Sequence, residues 1–288
     1  MPTVETTFSL LLVCPDRKGI VAAVAGFLSD HDASIVEAKQ FDDRLTQRFY
    51  MRAVFAAVGP KFVDLDQFRA EFAKLANLYD MTWQIEDTAR RVRVLIAVSK
   101  LDHCLQDLLY RWRSGVLPVD VVGVVSNHAD LRGLVEWHQI PFHHLPVTPE
   151  TRPQQEAAML ELFSRYQADL LVLARYMQIL SSDLCRAMTG RCINIHHSFL
   201  PSFKGARPYH QAYERGVKII GATAHYVTPD LDEGPIIEQD VERVGHEHTA
   251  ERFQEIGRDL EAIVLARAVR WHAERRILLD GQRSVILS

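Results

Sequence analysis

The sequence predicts an α/β protein of two units in tandem: a sheet with two helices on one face, then an open, mostly parallel sheet interleaved with helices. Three observations predict it. Residues 7–86 alternate strand-like and helix-like apolar patterns in the order β-α-β-β-α-β. From residue 92 onward, short continuous apolar runs recur with helical patterns between them. A chain of 288 residues is too long for one typical domain and comfortable for two.

In the first unit "TFSLLLV" is a strong apolar strand, and Ile20, Val24, Phe27 and Leu28 come next at helical spacing. "RFYMRAVF" alternates Phe49, Met51, Ala53 and Phe55 to one face, the pattern of a half-buried antiparallel strand. Leu65, Phe68, Phe72 and Leu75 make a second helical stripe, and Met81, Trp83 and Ile85 alternate as a closing strand. Two helices on one face of four strands is the ferredoxin-like arrangement. Gly19 stands at a loop-to-helix junction, where it either relieves a tight turn or brings backbone amides close to a ligand, and Asp16 is placed to cap the helix.

With its "CPDRKGIVAAVAGFLSDHDASIVEAKQ" run, this unit resembles an ACT domain, a small regulatory module that senses amino acids. The resemblance implies that residues 1–87 form a regulatory domain, that Asp16 and Gly19 meet an effector such as glycine or methionine, and that the chain assembles as a homo-oligomer, dimer or tetramer.

Residues 92–288 are expected to form the second domain. "VRVLIAVSK", "VDVVGVVS", "LLVLA" and "CINIH" read as strands covered on both faces, and "QQEAAMLELFSRYQ" is the clearest helix between them. Such Rossmann-like sheets bind ligands at the carboxyl ends of their strands. That is where "CINIH" delivers Asn194 and His196. Residues 222–227 read as a further strand, leading to a loop that carries Asp230, Asp232 and Glu233 and is ended by Gly234 and Pro235. The terminal helix, with Phe253, Ile256, Leu260, Ile263 and Val264 on one stripe, is expected to cover the sheet as a structural element.

Asn, His and Asp with no serine or cysteine beside the histidine suit direct transfer to a nucleophile, with an amide and an imidazole at the oxyanion and a carboxylate tuning imidazole or water. A covalent acyl-enzyme is disfavoured. His196 and His197 are neighbours on a strand, expected to face opposite ways and so to be unable to share a metal ion.

"INIHHSFLPSFKGARPYHQAYERG" and, after it, "GATAHYVTPDLDEGPIIEQDV" resemble the signature of the folate-dependent formyltransferase superfamily, with Asn194, His196 and Asp232 on its catalytic Asn, His and Asp. The resemblance implies a pterin pocket along Met177, Gln178 and Leu180, with Gly205 also on the substrate side and no metal or other cofactor. His103 stands near the place where a ribonucleotide phosphate would bind. His197 departs from the pattern, which has proline there.

The turn after the first strand of this domain bears on the acceptor. A phosphate cradle needs glycines there. "AVSKLDHCLQD" has none. Water is therefore the expected acceptor. The chain resembles the hydrolytic branch of the superfamily, which turns 10-formyltetrahydrofolate into tetrahydrofolate and formate, balances one-carbon folate pools and supplies formate for purine synthesis. A formyltransferase acting on a small amine and a non-catalytic amino-acid sensor are the alternatives. The bulk composition agrees. A net charge of -4 gives no footprint for nucleic acid, no apolar run is long enough for a membrane span, and four scattered cysteines with no signal-like start suit a cytoplasmic enzyme.

Overall fold

A computed structural model describes residues 6–200 and 208–288. The chain divides into two compact units, the first running to Arg91 and the second from Val92 to Ala273, with the last residues shared between them.

The first unit runs β1 (Thr7–Pro15), α1 (Ile20–Asp30), β2 (Ala33–Asp43), β3 (Arg48–Ala57), α2 (Leu65–Leu78) and β4 (Thr82–Asp87), and its antiparallel sheet has the order β2-β3-β1-β4. Period-two alternation sorts the core. Phe8, Leu10, Leu12 and Cys14 of β1 and Phe49, Met51, Ala53 and Phe55 of β3 pack against Ile20, Val24 and Leu28 of α1 and Phe68, Phe72 and Ala76 of α2. The α2 helix starts where Asp64 accepts a hydrogen bond from the Gln67 amide at 2.8 Å, an N-cap of the usual kind.

The second unit runs β5 (Val92–Val98), α3 (His103–Arg113), β6 (Val119–Ser126), α4 (Arg132–Trp137), β7 (Phe142–His144), α5 (Arg152–Arg165), β8 (Leu170–Leu173), α6 (Ser182–Ala187), β9 (Cys192–His196), α7 (Pro208–Glu214), β10 (Ile219–Tyr226), β11 (Ile236–Arg243) and α8 (Ala250–Ala273). Its strand order is β11-β10-β9-β8-β5-β6-β7. Five neighbouring strands are parallel, whereas β10 runs antiparallel to both β9 and β11. After β5 the chain fills one side of the sheet and then returns to β8 on the other, so the switch point lies between β5 and β8.

Two expectations are corrected by this fold. The second domain does not keep residues to 288: after α8 come β12 (Ile277–Asp280) and β13 (Arg283–Ile286), and Glu274–Asp280 and Val285–Ser288 pack with the first unit. As a result β3 is not half-buried. Leu278 and Leu287 cover Leu11, Val13 and Tyr50 on the face away from the helices. Arg52, also on that face, donates to the Arg275 and Glu274 carbonyls, both at 3.1 Å, and pairs with Glu37 at 3.1 Å.

Candidate active site

The carboxyl end of β9 presents Asn194 and His196 on one face, since alternate residues of a strand point the same way. The antiparallel register sets His225 directly opposite Asn194. The Asn194 side-chain amide lies 3.2 Å from His225 Nε2, and His225 Nδ1 lies 3.0 Å from the Tyr226 carbonyl. A carbonyl only accepts, so Nδ1 carries the proton and Nε2 accepts from Asn194. Burial pushes the His225 pKa down, further than the Tyr226 carbonyl and Asp232 raise it, which keeps this ring neutral. One amide hydrogen of Asn194 is thereby tied back, and the amide plane is set.

Asp232 comes from the loop between β10 and β11. Its backbone is left-handed at φ 59, a region that Asp tolerates better than most side chains. The loop closes through the Tyr226 amide on the Pro235 carbonyl at 2.9 Å, and a Cβ on Gly234 would collide with the Tyr226 carbonyl. So held, Asp232 Oδ1 stands 3.3 Å from His196 Nδ1 and 3.8 Å from His225 Nε2. Partial burial pushes the carboxyl up, but the hydrogen bond and charge of His196 lead the effects that outweigh it and hold it below the ordinary carboxylate range. His196 Nε2 is buried and has no hydrogen-bond partner among the described residues. Asp232 thus meets His196 directly, and His225, in reach of both Asn194 and Asp232, ties the three predicted residues into one site.

His225 is a member of the site that the sequence alone does not single out. Its one signal is a histidine between Ala224 and Tyr226 in an otherwise buried strand, "ATAHY". His197 does not face away from His196. The strand ends at His196, the chain bends, and the two rings lie 5.1 Å apart. Burial, with the nearby Arg175 charge, lowers the His197 pKa to about 4.

Of the remaining predicted residues, Met177 comes after β8 with its amide held by Ser99 Oγ at 3.0 Å and its side chain exposed. Gln178 is half-buried, and Leu180 packs on the core that Leu173 and Tyr176 share. Gly205 lies outside the described residues. Gly19 begins α1 at φ 100, a left-handed conformation that suits glycine, and Asp16 makes no side-chain cap to that helix, which leaves the capping alternative without its bond.

His103, the first residue of α3, does not point into open space. Its Nε2 is 2.8 Å from Glu261 of α8, a carboxylate whose side chain is 1% exposed. Glu261 also receives the Tyr209 hydroxyl at 2.8 Å and lies 3.3 Å from Arg175 Nε. The α8 helix is therefore more than a structural cover. Cys104 lies close enough to complete a metal-like trio with His103 and Glu261. Burial pushes its thiol well up, however, and the carboxylate is already engaged by an arginine, so these donors fit an ion-paired cluster better than a cation.

Residues 92–269 match the formyl transferase family and residues 8–64 match the ACT domain family. The chain belongs to the formyl transferases. Within them it falls among the formyltetrahydrofolate deformylases. It is 55% identical to formyltetrahydrofolate deformylase of Corynebacterium sp. (strain P-1) over 96% of this chain and 97% of that one. The crystal structure of the Burkholderia mallei formyltetrahydrofolate deformylase superposes with a TM-score of 0.92 at 52% identity, covering 98% of this chain and 100% of that one. Glycinamide ribonucleotide transformylase 1 of Symbiobacterium toebii gives a TM-score of 0.64 at 34% identity over 69% of this chain and 95% of that one. No helix among the described residues is long and apolar enough to cross a membrane.

Proposed function

We propose that the chain hydrolyses 10-formyltetrahydrofolate, with Asn194, His196 and Asp232 as the catalytic residues. The observation that carries the reading is the His196 ring, held by Asp232 on one nitrogen, bare on the other, and flanked by Asn194 on the same strand face. Asp232 orients the attacking water and takes up its proton jointly with His196. A C–O bond forms at the formyl carbon, and the resulting oxyanion accepts hydrogen bonds from Asn194 and His196. Collapse breaks the bond from carbon to N10, whose electron pair takes the proton from His196, directly or through water. The products are tetrahydrofolate and formate.

The folate is read against Met177, Gln178 and Leu180, where an exposed Met177 side chain beside a pinned backbone offers an apolar ledge. None of these steps calls for a metal. At the first unit, an amino-acid effector such as glycine or methionine is read at the Gly19 turn, where free amides begin α1. The open edge strand β2, with exposed Ile35, Val36 and Phe41, supports assembly of a homo-oligomer.

The test is formate release from 10-formyltetrahydrofolate, with and without glycinamide ribonucleotide. Formate at the same rate in both mixtures is expected. Formylated ribonucleotide accumulating faster than formate would make the chain a transferase.

A further inference from the structure

Arg175 is the least expected residue of the second unit. It lies just past the β8 end, at the switch point, where its carbonyl accepts from the Ser99 amide at the end of β5. Its backbone sits at φ 62, a conformation that glycine adopts freely and a long side chain does not. Its side chain is buried, yet Nε and Nη1 find no aligned hydrogen-bond partner among the described residues, although Nε lies within ion-pair range of Glu261 at 3.3 Å. A strained backbone that carries a buried, under-bonded guanidinium serves no evident folding purpose.

Its surroundings show what it does. Glu261 gathers Arg175, His103 and Tyr209 from the loop after β8, the start of α3 and the start of α7. Gly257, one helical turn before Glu261, makes room for this, because a Cβ there would overlap the Tyr209 ring. His197 joins the cluster to the reacting residues, with its ring 6.3 Å from Tyr209 and 5.1 Å from His196. His103 stands just past the end of β5, where a phosphate-binding turn would begin. The cluster therefore occupies the mouth of the switch point beside His196.

We propose that Arg175, His103 and Tyr209, clamped on Glu261, are specificity-determining residues that fill the acceptor side of the site and restrict the formyl acceptor to water. The proposal rests on the hydrolytic reading above and deepens it. Water needs to reach only the bare His196 Nε2 and the Asp232 carboxylate. An amine must bring its substituents with it, and those would have to displace a guanidinium and an imidazole already paired to a buried carboxylate. With the cluster opened, the same formyl carbon can accept an amine nitrogen in place of water. A C–N bond then forms, the bond to N10 breaks, and the proton lost by the amine passes to N10.

The experiment uses the full chain, 10-formyltetrahydrofolate labelled in the formyl group, and glycinamide or glycinamide ribonucleotide as acceptor. Formate and formylated amine are measured together. Arg175→Gly, which relaxes the backbone while opening the cluster, should raise the ratio of transfer to hydrolysis at least tenfold. Arg175→Ala should raise it similarly but with a lower Tm than Arg175→Gly, because alanine keeps the strained φ. A ratio unchanged within twofold in a folded Arg175→Gly enzyme that still consumes substrate would overturn the proposal, as would equal loss of both products. Should Arg175→Gly fail to fold, His103→Ala carries the same expectation and the same power to refute it. A wild-type enzyme that releases no formate, or that formylates either amine faster than it releases formate, would instead sink the hydrolytic reading itself.

Discussion

Asp232 and Glu261 each face a histidine, and both are held below the ordinary carboxylate range, yet they are built in opposite ways. Asp232 projects from a loop and keeps 19% of its side chain exposed, with one imidazole at 3.3 Å and another at 3.8 Å. Glu261 sits within a 24-residue helix, 1% exposed, with a hydroxyl, an imidazole and a guanidinium converging on it. The difference teaches how to separate a working carboxylate from a holding one. Asp232 has lone pairs to spare and can meet a water. Glu261 accepts from His103 and Tyr209 and lies within ion-pair range of Arg175, and proton transfer there would strand Arg175 as an unpaired buried charge.

The comparison breaks most readily at Asp232. Asp232→Asn should lower kcat for formate release on the order of a thousandfold, the scale of a lost general base or oxyanion partner. Folding should change little, since the loop is closed by Tyr226, Gly234 and Pro235 rather than by the carboxylate. Single-turnover formate release beside a thermal melt measures both. A folded variant with near-normal turnover would remove Asp232 from the mechanism.

Glu261→Gln should behave in reverse. Removing the charge that compensates Arg175 is expected to cost about 3 to 5 kcal/mol of stability, the scale of breaking one side of a buried pair. The loss reads out as a drop in urea midpoint. Equal urea midpoints for Glu261→Gln and wild type would mean that Arg175 and His103 do not depend on Glu261.

How much of this contrast the sequence displays depends on what carries each residue. Asn194, His196 and Asp232 are legible because strand ends and Gly-Pro loops are written in local pattern, and a parallel sheet places its chemistry at strand ends. Glu261 is half legible. It falls on the buried stripe of α8 with Gly257, Leu260, Val264 and Leu265, and a carboxylate at a core position signals a partner. Which partner is not legible, since His103 lies 158 positions away. The left-handed backbone of Arg175 leaves no trace in composition. The terminal hairpin is announced by Asp280 and Gly281 between apolar runs, a common turn pair. Its packing on β1 and β3 is not, because Tyr50 and Arg52 look like the solvent side of an alternating strand until something covers them.

His197 stands between the two carboxylates, and acid should sharpen the comparison through it. Burial, with the Arg175 charge, lowers its pKa to about 4, so the folded ring stays neutral where an unfolded histidine, near 6.5, already binds a proton. In that window the unfolded state binds more protons, so stability is lost as pH falls from about 6.5 to about 4, by up to about 3 kcal/mol. Asp232 acts lower on the scale. Its depressed pKa contributes stability that is present above the unfolded value and lost only as pH falls through the folded one. His197→Gln should therefore reduce the slope between pH 6.5 and 4 in urea titrations, leaving the share of His225, which burial also keeps neutral, and the steeper acid limb in place. An unchanged slope would assign the upper window to another group.

The smallest effect tests how far Glu261 depends on any one of its contacts. Tyr209→Phe keeps the ring that packs over Gly257 and removes only the hydroxyl that donates to Glu261 at 2.8 Å. Burial and the neighbouring carboxylate push that hydroxyl's pKa far up, so it remains a donor throughout the working range of pH. A hydrogen bond to a charged group is worth about 2 kcal/mol, which is the expected drop in stability. The loss should stay well under that of Glu261→Gln, because His103 and Arg175 still hold the carboxylate ionised. Urea unfolding of the two single variants and the double variant decides it. A double variant no less stable than Glu261→Gln alone would mean that the hydroxyl acts only through the charge. Tyr209→Phe costing as much as Glu261→Gln would show instead that one donor carries the cluster.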